Sequence, residues 1–317
     1  MGDIGSLLDL TLLFTAILLA GAISGYLSER AGIVNLGIDG MMCVGALFFG
    51  IFSSTAFWNI DGGGGFSGLP FGTIFIALIL TMICTMIMGA LHAFVCINLK
   101  ADHTIAGTAI NLVGLALATF LNQPLAKHLY IGQNYSRIMC QYNSCLHIGN
   151  SLFGSSIILF AIVVILAIVI WVIVNKTKMG LRYKAVGENP NAVDTQGISV
   201  FKYQWIAVLL SSAMAGLAGA LFLFRTTAFN GDVQSMGYLS LAILITGGWR
   251  IPKMSIYALV FAMFTAAANT TVLTGIGIPQ LVVFAIPYII TLAVLLFGSK
   301  KILPPAHSGI PFEKGMR

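Results

Sequence analysis

Residues 254–299 read MSIYALVFAMFTAAANTTVLTGIGIPQLVVFAIPYIITLAVLLFGS, 46 positions without one Asp, Glu, Lys or Arg. A helix crossing the hydrocarbon core of a bilayer needs ~20 mostly apolar residues. The run is long enough for two. Gly275-Ile276-Gly277-Ile278-Pro279 breaks it, with glycines and a proline where a turn belongs. The whole chain carries the same signature. Of its 317 residues 58% are hydrophobic and 8% charged, against ~45–50% and ~25% in soluble globular domains. Too few charges remain to cover a water-exposed surface. The composition therefore predicts an integral membrane protein and excludes nucleic-acid binding, a secreted soluble enzyme and intrinsic disorder.

Working outward from that run, uncharged stretches near 10–27, 40–57, 72–98, 104–122, 155–175, 203–224 and 233–249 bring the total to nine segments. The predicted fold class is an all-α polytopic membrane bundle of about nine transmembrane helices. A tenth crossing around 28–40 is the alternative. The chain reads as one transmembrane domain over 1–317, with two long connections at 123–154 and 176–202. The 233–249 stretch is barely long enough to cross and reads as broken or re-entrant.

Lysine and arginine set the orientation. With 176–202 placed inside, the inner connections collect Arg30, Lys100, Lys176, Lys178, Arg182, Lys184, Lys202, Arg250, Lys253, Lys300, Lys301, Lys314 and Arg317. The outer ones receive Lys127, Arg137 and Arg225. Thirteen against three predicts an external N-terminus and a cytoplasmic C-terminus. No basic stretch precedes the first segment, so no cleaved signal peptide is expected. Cys43, Cys84 and Cys96 fall within spans as small apolar residues. Cys140 and Cys145 share the outer connection, where a disulfide and two free thiols are both open.

Little here supports chemistry. Asp61-Gly62-Gly63-Gly64-Gly65 is glycine-rich but lacks the Lys and Ser/Thr of a phosphate-binding loop. The dipeptide Gly-Lys occurs nowhere, so any ATP hydrolysis belongs to another polypeptide. His92 lies in a span without a second histidine four residues on and reads as a packing or cavity hydrogen-bonder. His103, His128 and His147 do not group, and no metal site is expected. No catalytic constellation is visible.

Segment 28–42 interrupts the apolar pattern with three glycines, Asn35 and Asp39 where the chain re-enters the bilayer. Broken backbone at that depth must be satisfied by protein or a water-filled cavity. Asn35 and Asp39 are four apart and share a face if this part is helical. Asp39 reads either as a brace for the bend, against Arg30, or as a solute contact. Ser212, Gly216 and Ala220 recur every four residues and predict close helix packing. Ala266-Ala267-Ala268-Asn269-Thr270-Thr271 adds hydrogen-bonding groups to a similar run. Asn35, Asp39, Asn111, Asn269 and Thr270 are the candidate pathway residues, all expected to face the protein interior.

The inner connection is basic through Lys184 and then changes character. Glu188-Asn189-Pro190 has helix-start chemistry, and a short helix through Gln196 would end at Gly197. Such a helix at the inner face suits docking to a partner.

The stretch from Gly187-Glu188-Asn189-Pro190 to Gly197-Ile198-Ser199, with the Ala-Gly-rich helix to Ala220, resembles the permease subunits of bacterial ABC importers. That superfamily includes ribose, galactose, nucleoside and branched-chain amino-acid permeases. Segment Ser28 to Gly40 is closer still to its simple-sugar and nucleoside branch. The resemblance implies a permease in the bacterial inner membrane with a related or identical second permease chain. It also implies ATPase subunits, which bind the ATP and magnesium, and an extracytoplasmic solute-binding protein. No cofactor would belong to this chain. Arg182, Glu188, Asn189, Pro190, Asp194 and Gly197 would then form the ATPase-coupling surface, the two acids facing basic groups there. Three other readings remain: an ABC permease for branched-chain amino acids, an ion-coupled secondary transporter of a small polar solute, for which Asp39 and His92 are a thin supply of ionisable groups, and a membrane scaffold.

Overall fold

The computed structural model describes residues 2–54, 57, 71–129, 137–139, 153–226, 228–269, 280–298 and 304–314. The glycine run 61–65, Cys140, Cys145, Thr270 and the 275–279 break lie outside them. The described residues form helices and one isolated bridge between Met139 and Ala228. In chain order the helices are α1 (Gly2–Glu29), α2 (Ile38–Phe52), α3 (Phe71–Ala93), α4 (His103–Leu129) and α5 (Phe153–Lys176). They continue with α6 (Lys178–Glu188), α7 (Pro190–Thr195), α8 (Val200–Thr226), α9 (Met236–Thr246), α10 (Ile251–Ala268) and α11 (Gln280–Gly298).

Six of these are long and apolar enough to cross a membrane, within α1, α3, α4, α5, α8 and α10. The α3 span runs on through a five-residue π turn, Phe94–Asn98. The protein is a multi-pass membrane protein. Helices α2 and α9 are apolar but short, 15 and 11 residues. At 1.5 Å per residue α9 covers about 16 Å, roughly half a hydrocarbon core.

Several boundaries differ from those expected. Residues 30–37 form turns and irregular backbone, so 28–40 holds no extra helical crossing. The connection expected over 123–154 is shortened because α4 continues to Leu129 and α5 begins at Phe153. Most of 176–202 is helical. Thr177 starts α6 by accepting the Gly180 N–H at 3.1 Å, a cap among the lysines that the charge pattern hides. Asp102 starts α4 in the same way, accepting from Thr104 and Ile105 at 2.8 and 3.0 Å. Those two amides hold its carboxyl below the usual range.

Helices α1 and α8 form the buried centre and run antiparallel. Ser24 bonds Ser211 at 3.1 Å, and the Arg225 guanidinium lies over the Phe14 ring at 5.7 Å. Helix α5 is peripheral, with Ile165, Ile168, Val169 and Ile173 exposed as on a lipid-facing helix. Close approach at the centre needs residues without bulk. A Cβ on Gly45 would strike the Gly216 backbone, and one on Gly219 the Met42 carbonyl.

Candidate translocation site and coupling region

Two half-helices meet inside the bundle. Helix α2 starts at Ile38, after the non-helical 30–37, and runs away from the face that carries α6 and α7. Helix α9 starts at Met236, after the non-helical 228–235, and runs toward that face. First-turn amides of a helix have no intrahelical partner and carry partial positive charge. Asp39 and Asn111 answer both. The Asp39 carboxylate, 8% exposed, accepts the Gly237 N–H at 2.8 Å. The Asn111 Oδ1 on α4 accepts the Gly40 N–H, and its Nδ2 donates to the Tyr238 hydroxyl. Tyr238 is 45% exposed, so this joint reaches the surface of the bundle through its ring. The backbones crowd here: a Cβ on Gly114 would strike Gly40, and one on Gly237 would strike Asp39.

The other candidates fall elsewhere. Asn35 is fully buried but lies before α2, so it and Asp39 do not share a helical face. Its Oδ1 accepts the Gly37 N–H at 3.0 Å, and its Nδ2 donates to Ser211 Oγ at 3.3 Å. Arg30 does not brace Asp39. It pairs with Glu188 at 3.3 Å instead. His92 is buried with Nε2 3.3 Å from the Val34 carbonyl, another support for the 30–37 stretch. Asn269 does not face the interior of this chain. It is exposed at the end of α10, its amide donating to the Thr265 carbonyl at 2.8 Å. Among the described residues no group of His, Cys, Asp or Glu could hold a metal ion.

On the α6–α7 face, the Asn189 side chain caps α7 by accepting the Ala192 N–H at 3.1 Å, with Pro190 in its first turn. Gly197 follows at φ +75°, where a side chain would strain the backbone. Glu188 accepts from Arg30 and, at 3.3 Å, from the Ala306 N–H. Asp194 sits 4.0 Å from Lys314. Both acids thus have partners within the chain, which the sequence reading had not supplied. Arg182 is exposed. Residues 304–314 clamp the region: His307 N–H donates to Gly187 O and Gly309 N–H to Gly32 O, each at 3.0 Å. Phe312 packs on Phe201 at 5.5 Å among Val186, Val193 and Val200. Lys100 pairs with Glu313 at 3.1 Å. Gly187 lies flat on the turn at Arg30, where a Cβ would strike the Arg30 carbonyl. The Tyr183 hydroxyl donates to the Leu27 carbonyl, and burial pushes its pKa well up.

This face is therefore bolted to the turn that leads into α2. Residues 7–297 match the family model described as branched-chain amino acid transport system / permease component. The chain belongs to that permease family. It is similar to the uncharacterized protein MG121 homolog of Mycoplasma pneumoniae, 37% identical over 98% of this chain and 97% of the relative. It is similar to the nucleoside ABC transporter permease protein NupC of Lactococcus lactis, 33% identical over 96% and 95%. It is also similar to the guanosine ABC transporter permease protein NupQ of Bacillus subtilis, 30% identical over 97% and 96%. No solved structure matches it.

In this permease the stripe Ser212, Gly216 and Ala220 lies buried where α8 meets α2 and α3. Gly216 lies between Gly45 and the Thr85 side chain, and Ser212 faces Gly89. Three parts of the permease escaped the sequence reading: the 304–314 clamp, Tyr238, and the buried bond from Trp249 Nε1 to Glu29 at 2.7 Å. The apolar Ile310-Pro311-Phe312, beyond the last span and next to Glu313-Lys314, was the available signal for the first. The other two depend on contacts made 127 and 220 residues apart in sequence, which no local pattern records.

Proposed function

We propose that this chain is the membrane-spanning subunit of an ATP-driven ABC importer that moves a nucleoside or simple sugar into the cell. The observation that carries the reading is the continuous contact from α6–α7, through Gly187 and Glu188, to the 30–37 turn and on to the Asp39–Gly237 joint. A push on α7 has a rigid route to the middle of the membrane. Full-length likeness to permeases named for nucleosides and guanosine favours that solute class.

In this reading α6–α7 is cytoplasmic, the C-terminus lies on the same side and the N-terminus outside, with nine spans in all. Separate ATPase subunits, which bind ATP and magnesium, dock on Arg182, Asn189 and Gly197, while Pro190, buried in the first turn of α7, holds that helix in place. Glu188 and Asp194 shape that surface through their own-chain partners. A second permease chain covers the face that exposes Tyr238, and an extracytoplasmic binding protein delivers solute. Closure of the ATPases moves α7, and two distinct arrangements of the half-helix joint convert that motion into alternating access. Asp39, Asn111 and Tyr238 offer the solute weak hydrogen bonds, with Asn35, Asn269 and Thr270 further along the path.

The family model's description makes branched-chain amino acids the second reading. One experiment separates these and the ion-coupled alternative. The chain is reconstituted into liposomes with its ATPase, partner permease and binding protein, and guanosine and leucine uptake are followed. Guanosine uptake that needs ATP supports the proposal. Leucine uptake supports the second reading. Uptake by the chain alone, driven by a sodium or proton gradient, overturns both.

A further inference from the structure

A cavity of about 410 Å³ opens where α1 and α5 end and α10 begins. Four cationic side chains line it, Arg30, Lys184, Arg250 and Lys253, with Trp171 and Trp249 and no carboxylate. Three of the four cations have no acidic partner: among the described residues, ion pairs engage Arg30 but not Lys184, Arg250 or Lys253. Arg30 Nε is shielded and unpartnered among the described residues. Lys184 Nζ donates to Asn175 at 2.6 Å. Burial and then the neighbouring Arg30 charge push the Lys184 pKa down. The first turn of the 18-residue α10, with Pro252 inside it, adds helix-terminus amides to the same wall. Gathering like charges in a recess costs Coulomb energy that an anion would recover.

The place of the cavity says which anion. It lies at the level where α1 and α5 leave the apolar layer and α10 enters it, whichever way the chain is oriented. Tryptophans at that level are typical of the membrane–water boundary. Beside it, Ile165, Ile168, Val169 and Val172 of α5 present an exposed apolar wall along which acyl chains can run. Basic recesses between membrane helices at this depth suit lipid phosphates. We propose that this cavity binds the phosphate of an anionic phospholipid headgroup. A lipid held there would tie α10 to α6 and to the Arg30 turn, stiffening the clamp that leads into α2. The inference holds whatever solute the permease carries.

The test uses the full chain, in detergent with its partner subunits, titrated with phosphatidylglycerol or phosphatidylcholine while thermal unfolding is followed. Phosphatidylglycerol should raise the melting temperature saturably and phosphatidylcholine should not. In the double variant Arg250→Gln/Lys253→Gln the apparent phosphatidylglycerol affinity should fall about tenfold or more. Its melting temperature in phosphatidylcholine should stay near that of the parent. The charge-preserving pair Arg250→Lys/Lys253→Arg should keep the response. Equal shifts by both lipids, or an unchanged response in the Gln variant, would overturn the site. Full reproduction of the shift by inorganic phosphate or glycerol phosphate would show a free-phosphate site and overturn the lipid assignment.

Discussion

Two units of the bundle have the same plan in opposite directions: α1 with α2, and α8 with α9. Each is a helix of 28 or 27 residues, a non-helical stretch, then a half-helix of 15 or 11 residues. Their half-helices meet at Asp39 and Gly237. What differs is how the non-helical stretches are held. Residues 30–37 are held from the α6–α7 face, by Gly187, Glu188 and the 304–314 clamp. Residues 228–235 are held near the opposite face, where Asn122 of α4 donates to the Phe229 carbonyl at 2.9 Å and accepts the Ile138 N–H at 3.0 Å. Phe229 N–H donates to Ile138 O at 2.8 Å and Arg137 to Asn230 at 2.6 Å. One stretch is tied to α6–α7, the other to α4 and residues 137–139. On the proposed function the first is the driven part and the second the anchored one, and the joint between them is where motion would become an opening.

That contrast breaks most easily at its two holds. Gly187→Val should wedge a side chain between α6 and the Arg30 carbonyl. Uptake per molecule of detergent-stable protein should then fall about tenfold or more, the equivalent of ~1.4 kcal/mol of lost coupling. Asn122→Ala should do the reverse. It leaves a buried carbonyl and amide unmade, at about 1–3 kcal/mol of stability, while normalised uptake stays near the parent value. Uptake and thermal unfolding measured on both variants decide the matter. If the two behave alike, the driven and anchored holds are not distinct.

The sequence made some of this legible and hid the rest for physical reasons. Apolar runs locate helices because lipid demands them, and every predicted segment coincides with a helix. Asn189-Pro190 and Gly197 marked α7 because caps and left-handed backbone are local chemistry. Hydropathy could not show that α2 and α9 begin inside the bundle, because it reports what a residue tolerates and not where the chain turns. The Ser28–Met42 glycines pointed to broken backbone, but not to Gly187 and Gly309 as its supports. Asn111 is legible only as a polar residue within a span, and Asp39 as an acid in the broken 28–42 segment. Their partners, Gly237 for Asp39 and Gly40 with Tyr238 for Asn111, need three helices in place.

A smaller effect tests the joint itself. Asn at position 39 keeps an oxygen for the Gly237 N–H but removes the charge that faces two helix N-termini. Asp and Asn cap helices about equally well, so Asp39→Asn should melt within ~0.5 kcal/mol of the parent. Normalised uptake should fall about fivefold, near 1 kcal/mol of interaction made only while solute passes the joint. Parent-level uptake would make the carboxylate a brace and move the solute path away from the joint.

The smallest effect is expected at Asn269, beyond the joint on the anchored side. Helix α10 begins at the α6–α7 face and has 18 residues, so Asn269 lies about 27 Å along it, near the opposite face. Asn269 is exposed, and its amide bonds a carbonyl of its own helix, so among the described residues it bridges no two helices. Bare lipid is a costly neighbour for such a group, whereas a water-filled mouth or a second permease chain is not. Asn269→Leu should therefore change unfolding by less than ~0.5 kcal/mol. Normalised uptake should fall about twofold, because a group at the mouth meets the solute briefly and supplies a fraction of a kcal/mol. A loss of folded protein in proportion to uptake would mean that Asn269 serves assembly with the partner chain. Uptake equal to the parent, with stability unchanged, would place the solute path elsewhere than the end of α10.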